Sequence, residues 1–127
     1  MSYEVKGEIL GFEKIRDVEL IEIDELFSTI KDTENKQISF TVINPYALRE
    51  YSFDLGSAFK ILLDIKEDTN FSVYNVVVIR EPLEESTINF LAPIVVNHDN
   101  KTMAQIVLKD KKHPDFGMTE TIQSFKK

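Results

Sequence analysis

Residues 73–97, V-Y-N-V-V-V-I-R-E-P-L-E-E-S-T-I-N-F-L-A-P-I-V-V-N, constrain this chain more than any other stretch. Val76, Val77, Val78 and Ile79 form its densest β-branched run, and no polar residue marks either face of it. Such a run predicts a central strand covered on both sides. A charged break follows at Arg80-Glu81-Pro82-Leu83-Glu84-Glu85-Ser86, and the chain returns as Thr87-Ile88-Asn89-Phe90-Leu91 and then Ile94-Val95-Val96. Apolar strands on either side of a short acidic connection predict a hairpin. An acidic turn tethered to the stiffest part of a core is also a good mount for a recognition surface.

The remaining runs have the same character. Tyr3 to Ile9 alternates weakly as an opening strand, and Leu10-Gly11-Phe12-Glu13 reads as a turn in which Gly11 supplies backbone freedom. Residues 18–23 and 26–30 read as strands, with a polar hairpin loop at 32–36. Ile38, Phe40 and Val42 alternate with Ser39 and Thr41 until Asn44-Pro45 ends that strand. Residues 46–53 carry Tyr46, Tyr51 and Phe53 and are expected to lie extended across the sheet. The one helix is predicted at 57–65, with Ser57 as its cap and Phe59, Leu62 and Leu63 on its apolar face. Residues 98–101 form a turn, 102–108 a last strand, and 120–125 a short terminal helix or a frayed end. Short strands bounded by turn residues, with a single helix, predict a mostly all-β domain: a small antiparallel β-barrel or sandwich spanning residues 1–127.

Composition bears on what such a domain can do. At 127 residues the chain can bury a core without staples, and it has no cysteine for disulfides or thiolate metal sites. No basic-then-apolar leader opens it, and no apolar run approaches the roughly 20 residues that span a bilayer, so a cytoplasmic location is expected. A formal net charge of −7 argues against direct nucleic-acid binding, which needs clustered Lys and Arg, and suits a basic protein partner.

The sequence carries little catalytic chemistry. His98 and His113 sit in separate loops without metal-ligand spacing; a site with Asp99 or Asp115 is conceivable, but solvated loop histidines are the simpler reading. Nucleophile elbows and phosphate-binding loops are absent. The acid pairs Asp24-Glu25, Glu67-Asp68 and Glu84-Glu85 fall in short loops, where carboxylates face water instead of acquiring the raised pKa that acid–base catalysis needs. No catalytic residue, cofactor or metal is therefore assigned. The candidate partner-binding residues are Arg80, Glu81, Glu84 and Glu85, together with the corner at Asn44, Pro45 and Tyr46. The plain alternative is a charged tip that keeps two sticky strands from aggregating. Within the T-I-N-F-L-A-P-I-V-V-N string, Ile88, Phe90, Ile94 and Val96 are expected in the core, and Asn89, Pro93 and Asn97 at a surface or satisfying backbone at a bulge.

Several of these pieces resemble the FliW family of flagellar assembly factors. They are Asn44-Pro45-Tyr46, Val76-Val77-Val78-Ile79, the string from Thr87 to Asn97, Gln105-Ile106-Val107-Leu108, and Leu10-Gly11-Phe12-Glu13 near the start. The resemblance runs from about Ile9 to about Asp115, and the string from Thr87 is its most specific part. It implies a small β-barrel-like fold without catalytic activity. It implies a protein that binds the translational regulator CsrA, relieves repression of flagellin mRNA translation by an allosteric route, and binds flagellin in competition with CsrA. A free monomer is expected. The rivals are a dedicated flagellin chaperone that ignores CsrA, and a small-molecule-binding barrel lined by Tyr46, Tyr51 and Tyr74.

Overall fold

A computed structural model of the chain describes residues 2–109 and 116–125. Nine strands form one sheet: β1 (Ser2–Val5), β2 (Asp17–Glu22), β3 (Phe27–Asp32), β4 (Ser39–Ile43), β5 (Phe71–Val78), β6 (Thr87–Ile88), β7 (Ile94–Asn97), β8 (Thr102–Gln105) and β9 (Glu120–Thr121). The order β4-β3-β2-β1-β8-β7-β5 closes on itself because β4 also pairs with β5, giving a seven-stranded barrel. Closure removes the exposed edges of those seven strands. The predicted all-β barrel is thus present, with one correction: β1 and β8 run parallel, Glu4 beside Thr102 and Val5 beside Met103. Alternation within each run cannot reveal which distant strand becomes a neighbour.

The predicted hairpin is also present. β5 is long enough to serve several partners. Its first half pairs with β7 (Tyr74 with Ile94), its middle with β4 (Val76 with Val42), and its end with β6 (Val77 with Ile88). β9 then adds to the free side of β6, with Thr87 opposite Thr121.

Period-two alternation sorts the apolar side chains into two cores. Tyr3, Val5, Val18, Ile30, Phe40, Val42, Ile94, Val96 and Met103 fill the barrel interior. Val73, Val77, Val95 and Ala104 point outward from the same strands. They are covered by Tyr51, Leu63, Ile88, Phe90 and Ile122, so residues 46–65 and 116–125 form an outer layer on one wall. The strand buried on both faces is β7, all four residues of which are buried. The run at Val76 to Ile79 corrects the sequence expectation: Val78 is 53% and Ile79 50% exposed, because this end of the run outreaches its cover on both sides. Val78 shares the interior-facing side of Val76 but lies past the last pairing with β4, Thr41 with Val77, and Ile79 follows the end of the strand. Ile88, Phe90, Ile94 and Val96 are buried as expected.

The helix α1 spans Ser57–Leu63, and its N-cap is Gly56 at φ +75°, without a side-chain cap bond; Ser57 does not cap it. Phe59 and Leu63 pack on the outer core, one turn apart, whereas Leu62 and Ile61 are exposed. Seven residues are only two turns, so the buried stripe is narrower than the apolar sequence suggested. Residues 45–47 form a 3-10 turn, not extended chain, and the terminal segment ends in a 3-10 turn, Ile122–Phe125. At the barrel mouth, Gly11 adopts φ +86° in the turn that returns Phe12 N–H to Ile9 C=O (2.8 Å), and the Phe12 ring stacks on Phe40 at 4.2 Å.

Candidate partner-binding surface

The acidic connection, residues 79–86, is held by its own backbone. Arg80 N–H donates to Ser86 Oγ (2.9 Å), Glu85 N–H to Pro82 C=O (3.0 Å), and Ser86 N–H to Leu83 C=O (2.9 Å). Leu83–Glu85 is a 3-10 turn following a cis Glu81-Pro82 peptide. Ser86 is fully buried, and its carbonyl accepts the N–H of Ile122, which locks the connection to the terminal segment. Arg80, Glu81 and Glu85 are exposed and Glu84 is half-buried. The exposed apolar residues Val78, Ile79 and Leu83 stand among these acids. Sequence reasoning missed Val78 and Ile79 as surface because their apolarity had placed them in a covered strand, whereas Leu83 falls in the charged break as read.

The Asn44–Tyr46 corner is equally ordered. Asn44 Oδ1 accepts the N–H of Tyr46 (3.1 Å), Pro45 is buried where the 3-10 turn starts, and Tyr46 is exposed with its ring edge-on to Tyr51. A small cleft of about 170 Å³ lies beside it, lined by Asn44, Tyr46, Phe71, Ser72, Val73 and Tyr74. The structure does not bring the two candidate patches together. The pairing of Ile43 with Asn75 sets Asn44 near Tyr74, and six residues of extended chain, roughly 20 Å, separate Tyr74 from Arg80.

The three tyrosines do not share a cavity. Tyr51 is buried, and burial pushes its hydroxyl up to about 12, so it stays protonated and donates to Phe90 C=O. Asn75 Nδ2 reaches both the Tyr51 hydroxyl (3.2 Å) and Asn89 C=O (3.0 Å). This buried node joins the outer layer to β5 and to the turn after β6. The asparagines satisfy backbone as expected, but at turns and not at bulges. Asn89 Oδ1 takes the N–H of Leu91 (3.0 Å), and Asn97 Oδ1 takes that of Asp99 (2.9 Å) while Asn97 Nδ2 donates to Leu63 C=O (2.7 Å).

His98 is a structural bridge: Nδ1 meets the Tyr3 hydroxyl at 2.9 Å and Nε2 the Ser72 hydroxyl at 2.7 Å, tying β1 to β5. His113 and Asp115 lie outside the described residues. Among the described residues no three His, Cys, Asp or Glu side chains cluster to hold a metal ion. Burial holds the His98 pKa below its usual 6.5, Lys101 adds to that effect, and Asp99 opposes it. The folded state therefore favours neutral imidazole, while the unfolded chain binds a proton near pH 6.5. His98 stabilises fully above that value, and the contribution is lost as pH falls through the lower folded-state pKa. The melting temperature is expected to drop as the pH falls below the ordinary histidine value of 6.5, and His98→Gln to flatten that segment of the profile. A His98→Gln curve parallel to wild type across the window would remove this role.

Sequence reasoning also missed Arg49. Its guanidinium lies 5.0 Å from the Phe90 ring centre, 4.9 Å from Phe116 and 5.5 Å from Phe125, and pairs with the Glu120 carboxylate at 3.3 Å. Its only sequence signal was a cation within the aromatic-rich stretch 46–53, and the rings it meets come from two other parts of the chain, Phe90 and the segment 116–125.

A closed seven-stranded barrel with a layered outer wall and a β6–β9 extension defines the structural class. The crystal structure of a flagellar assembly factor FliW shares it, with a TM-score of 0.85 and 20% identity over 95% of this chain and 84% of that one. The FliW protein family model matches residues 2–116. Flagellar assembly factor FliW 2 of Wolinella succinogenes is 50% identical over 98% of this chain and 92% of its own length. Flagellar assembly factor FliW 1 of the same organism is 47% identical over 100% and 99%, and FliW of Campylobacter lari 44% identical over 98% and 96%. The chain belongs to the FliW family.

Proposed function

We propose that this chain is a non-catalytic, cytoplasmic flagellar assembly factor that binds CsrA as a protein antagonist, relieving repression of flagellin mRNA translation, and that binds flagellin in competition with CsrA. The observation that carries this reading is the near-full-length relationship to proteins named flagellar assembly factors. Two physical features support it. The net charge of −7 suits a basic, RNA-binding partner better than RNA itself. The acids Glu81, Glu84 and Glu85 stand on a connection that is already ordered by hydrogen bonds, so little conformational entropy is lost when a partner docks. The barrel interior is filled by side chains, which disfavours the ligand-barrel reading.

The test is the double reversal Glu84→Lys with Glu85→Lys, checked first for an unchanged melt. Acids at the rim of the complex mainly steer encounter, so association with CsrA is expected to slow about tenfold and to lose salt sensitivity. Flagellin, engaged through apolar contacts, is expected to lose less affinity. Equal loss for both partners would mean one footprint, and no loss for either would remove this connection from the site. A pull-down from lysate separates the rivals: flagellin with CsrA supports the proposal, and flagellin alone supports the dedicated chaperone.

A further inference from the structure

The C-terminal continuation of β8 carries an unfinished strand edge beside an apolar groove. The β1–β8 ladder ends with Lys6 N–H donating to Met103 C=O (2.8 Å), after which the chain leaves β8 at Gly7, φ +79°. On its other side the continuation stays paired: Ile106 N–H donates to Pro93 C=O (3.0 Å) and Leu108 N–H to Leu91 C=O (2.7 Å). Backbone groups alternate sides along extended chain, so the N–H and C=O of Val107 point to the side β1 has vacated. Among the described residues neither group has a hydrogen-bond partner. One such residue offers the donor and acceptor that an antiparallel strand needs for a closely spaced pair of bonds.

The adjoining groove, about 590 Å³, is lined by Leu10, Leu91, Ala92, Val107, Leu108 and Met118, with Asn89 and Lys109 at its polar end. Leu10, Val107 and Met118 are each more than half exposed, so this apolar surface faces water. Lys109 is the one charged side chain among the described lining residues, a cation in a chain of net charge −7. We propose that this groove accepts an extended apolar peptide segment of another protein by strand addition at Val107, with an acidic residue of that segment paired to Lys109. Backbone bonds supply the register, alternate apolar side chains enter the groove, and the acid fixes direction.

The probe is the synthetic peptide acetyl-Thr-Val-Thr-Leu-Thr-Asp-amide, titrated into the full-length isotope-labelled chain and followed by amide NMR. Saturable shifts confined to residues 105–109 and the groove walls are expected, with slowed hydrogen exchange at Val107. Val107→Pro removes the donor and is expected to abolish binding. Should that variant unfold, a peptide N-methylated at its central Thr and Leu makes the same test from the other side. Lys109→Glu is expected to shift preference about tenfold from this peptide to its Asp-to-Lys counterpart. Absence of saturable shifts at 105–109 up to millimolar peptide overturns the proposal, as does binding that survives both Val107→Pro and N-methylation. Protection of Val107 in the free chain, together with a doubled solution mass, would make a second copy the occupant and overturn it as well.

Discussion

Phe90→Ala is expected to lower the stability of the domain by ~3–5 kcal/mol, the cost of deleting a fully buried aromatic ring that its surroundings cannot collapse to replace. The ring has no exposed surface and lies against Tyr51, Phe125 and Arg49 at centroid distances of 5.7, 5.5 and 5.0 Å. Its backbone is equally committed, the N–H to Gly117 C=O (2.9 Å) and the C=O to the Tyr51 hydroxyl. These backbone bonds resist the inward shift that would fill the void. Val78→Asp is the matching control. Although Val78 belongs to the most β-branched run of the chain, it is half exposed, and a charge there meets water, so a change of only about 0.5 kcal/mol is expected. Urea denaturation of both variants decides the assignment of faces. A Phe90→Ala curve coincident with wild type, or an unfolded Val78→Asp, would reverse it.

Arg49→Ala is expected to cost about 2–3 kcal/mol and to loosen one region selectively. The arginine is the common partner of three rings and of Glu120, whose carboxylate also takes the N–H of Gly117 (2.7 Å). Removing it leaves a half-buried carboxylate unpaired and strips the cation from the rings that hold residues 116–125 to the barrel wall. Hydrogen exchange should therefore accelerate at the amides of Phe90 and Ile122, which bond across this junction, and remain slow in the barrel strands. Arg49→Lys should restore little, since an ammonium neither stacks on rings nor forks toward a carboxylate as guanidinium does. Uniform acceleration through the barrel, or none at the junction, would contradict the selective role.

Both experiments probe the outer layer, which is where reading the sequence was least successful. Strand positions were legible because a half-buried strand must alternate: Ile38, Phe40 and Val42 share a face in the chain's order and share it in the barrel. The asparagine roles followed from the same reasoning, since polar residues inside the apolar string have to satisfy backbone. The candidate acids were legible as a charged interruption between apolar runs. Their support was not, because Ser86 and Ile122 are far apart in the chain and meet only when the terminal segment docks.

By itself, the sequence determined the mostly β character, the short helix after Gly56, the hairpin that ends at β6, the core positions Ile88, Phe90, Ile94 and Val96, and the family to which the chain belongs. These rest on local periodicity and on contiguous strings, which need no knowledge of distant neighbours. Only the tertiary structure decided the parallel contact of β1 with β8, the exposure of Val78 and Ile79, the Arg49 junction and the open edge at Val107. Each depends on which remote segment covers a given face. Apolar side chains specify that a face prefers cover, but where the cover stops is set by the length and path of the chain that supplies it.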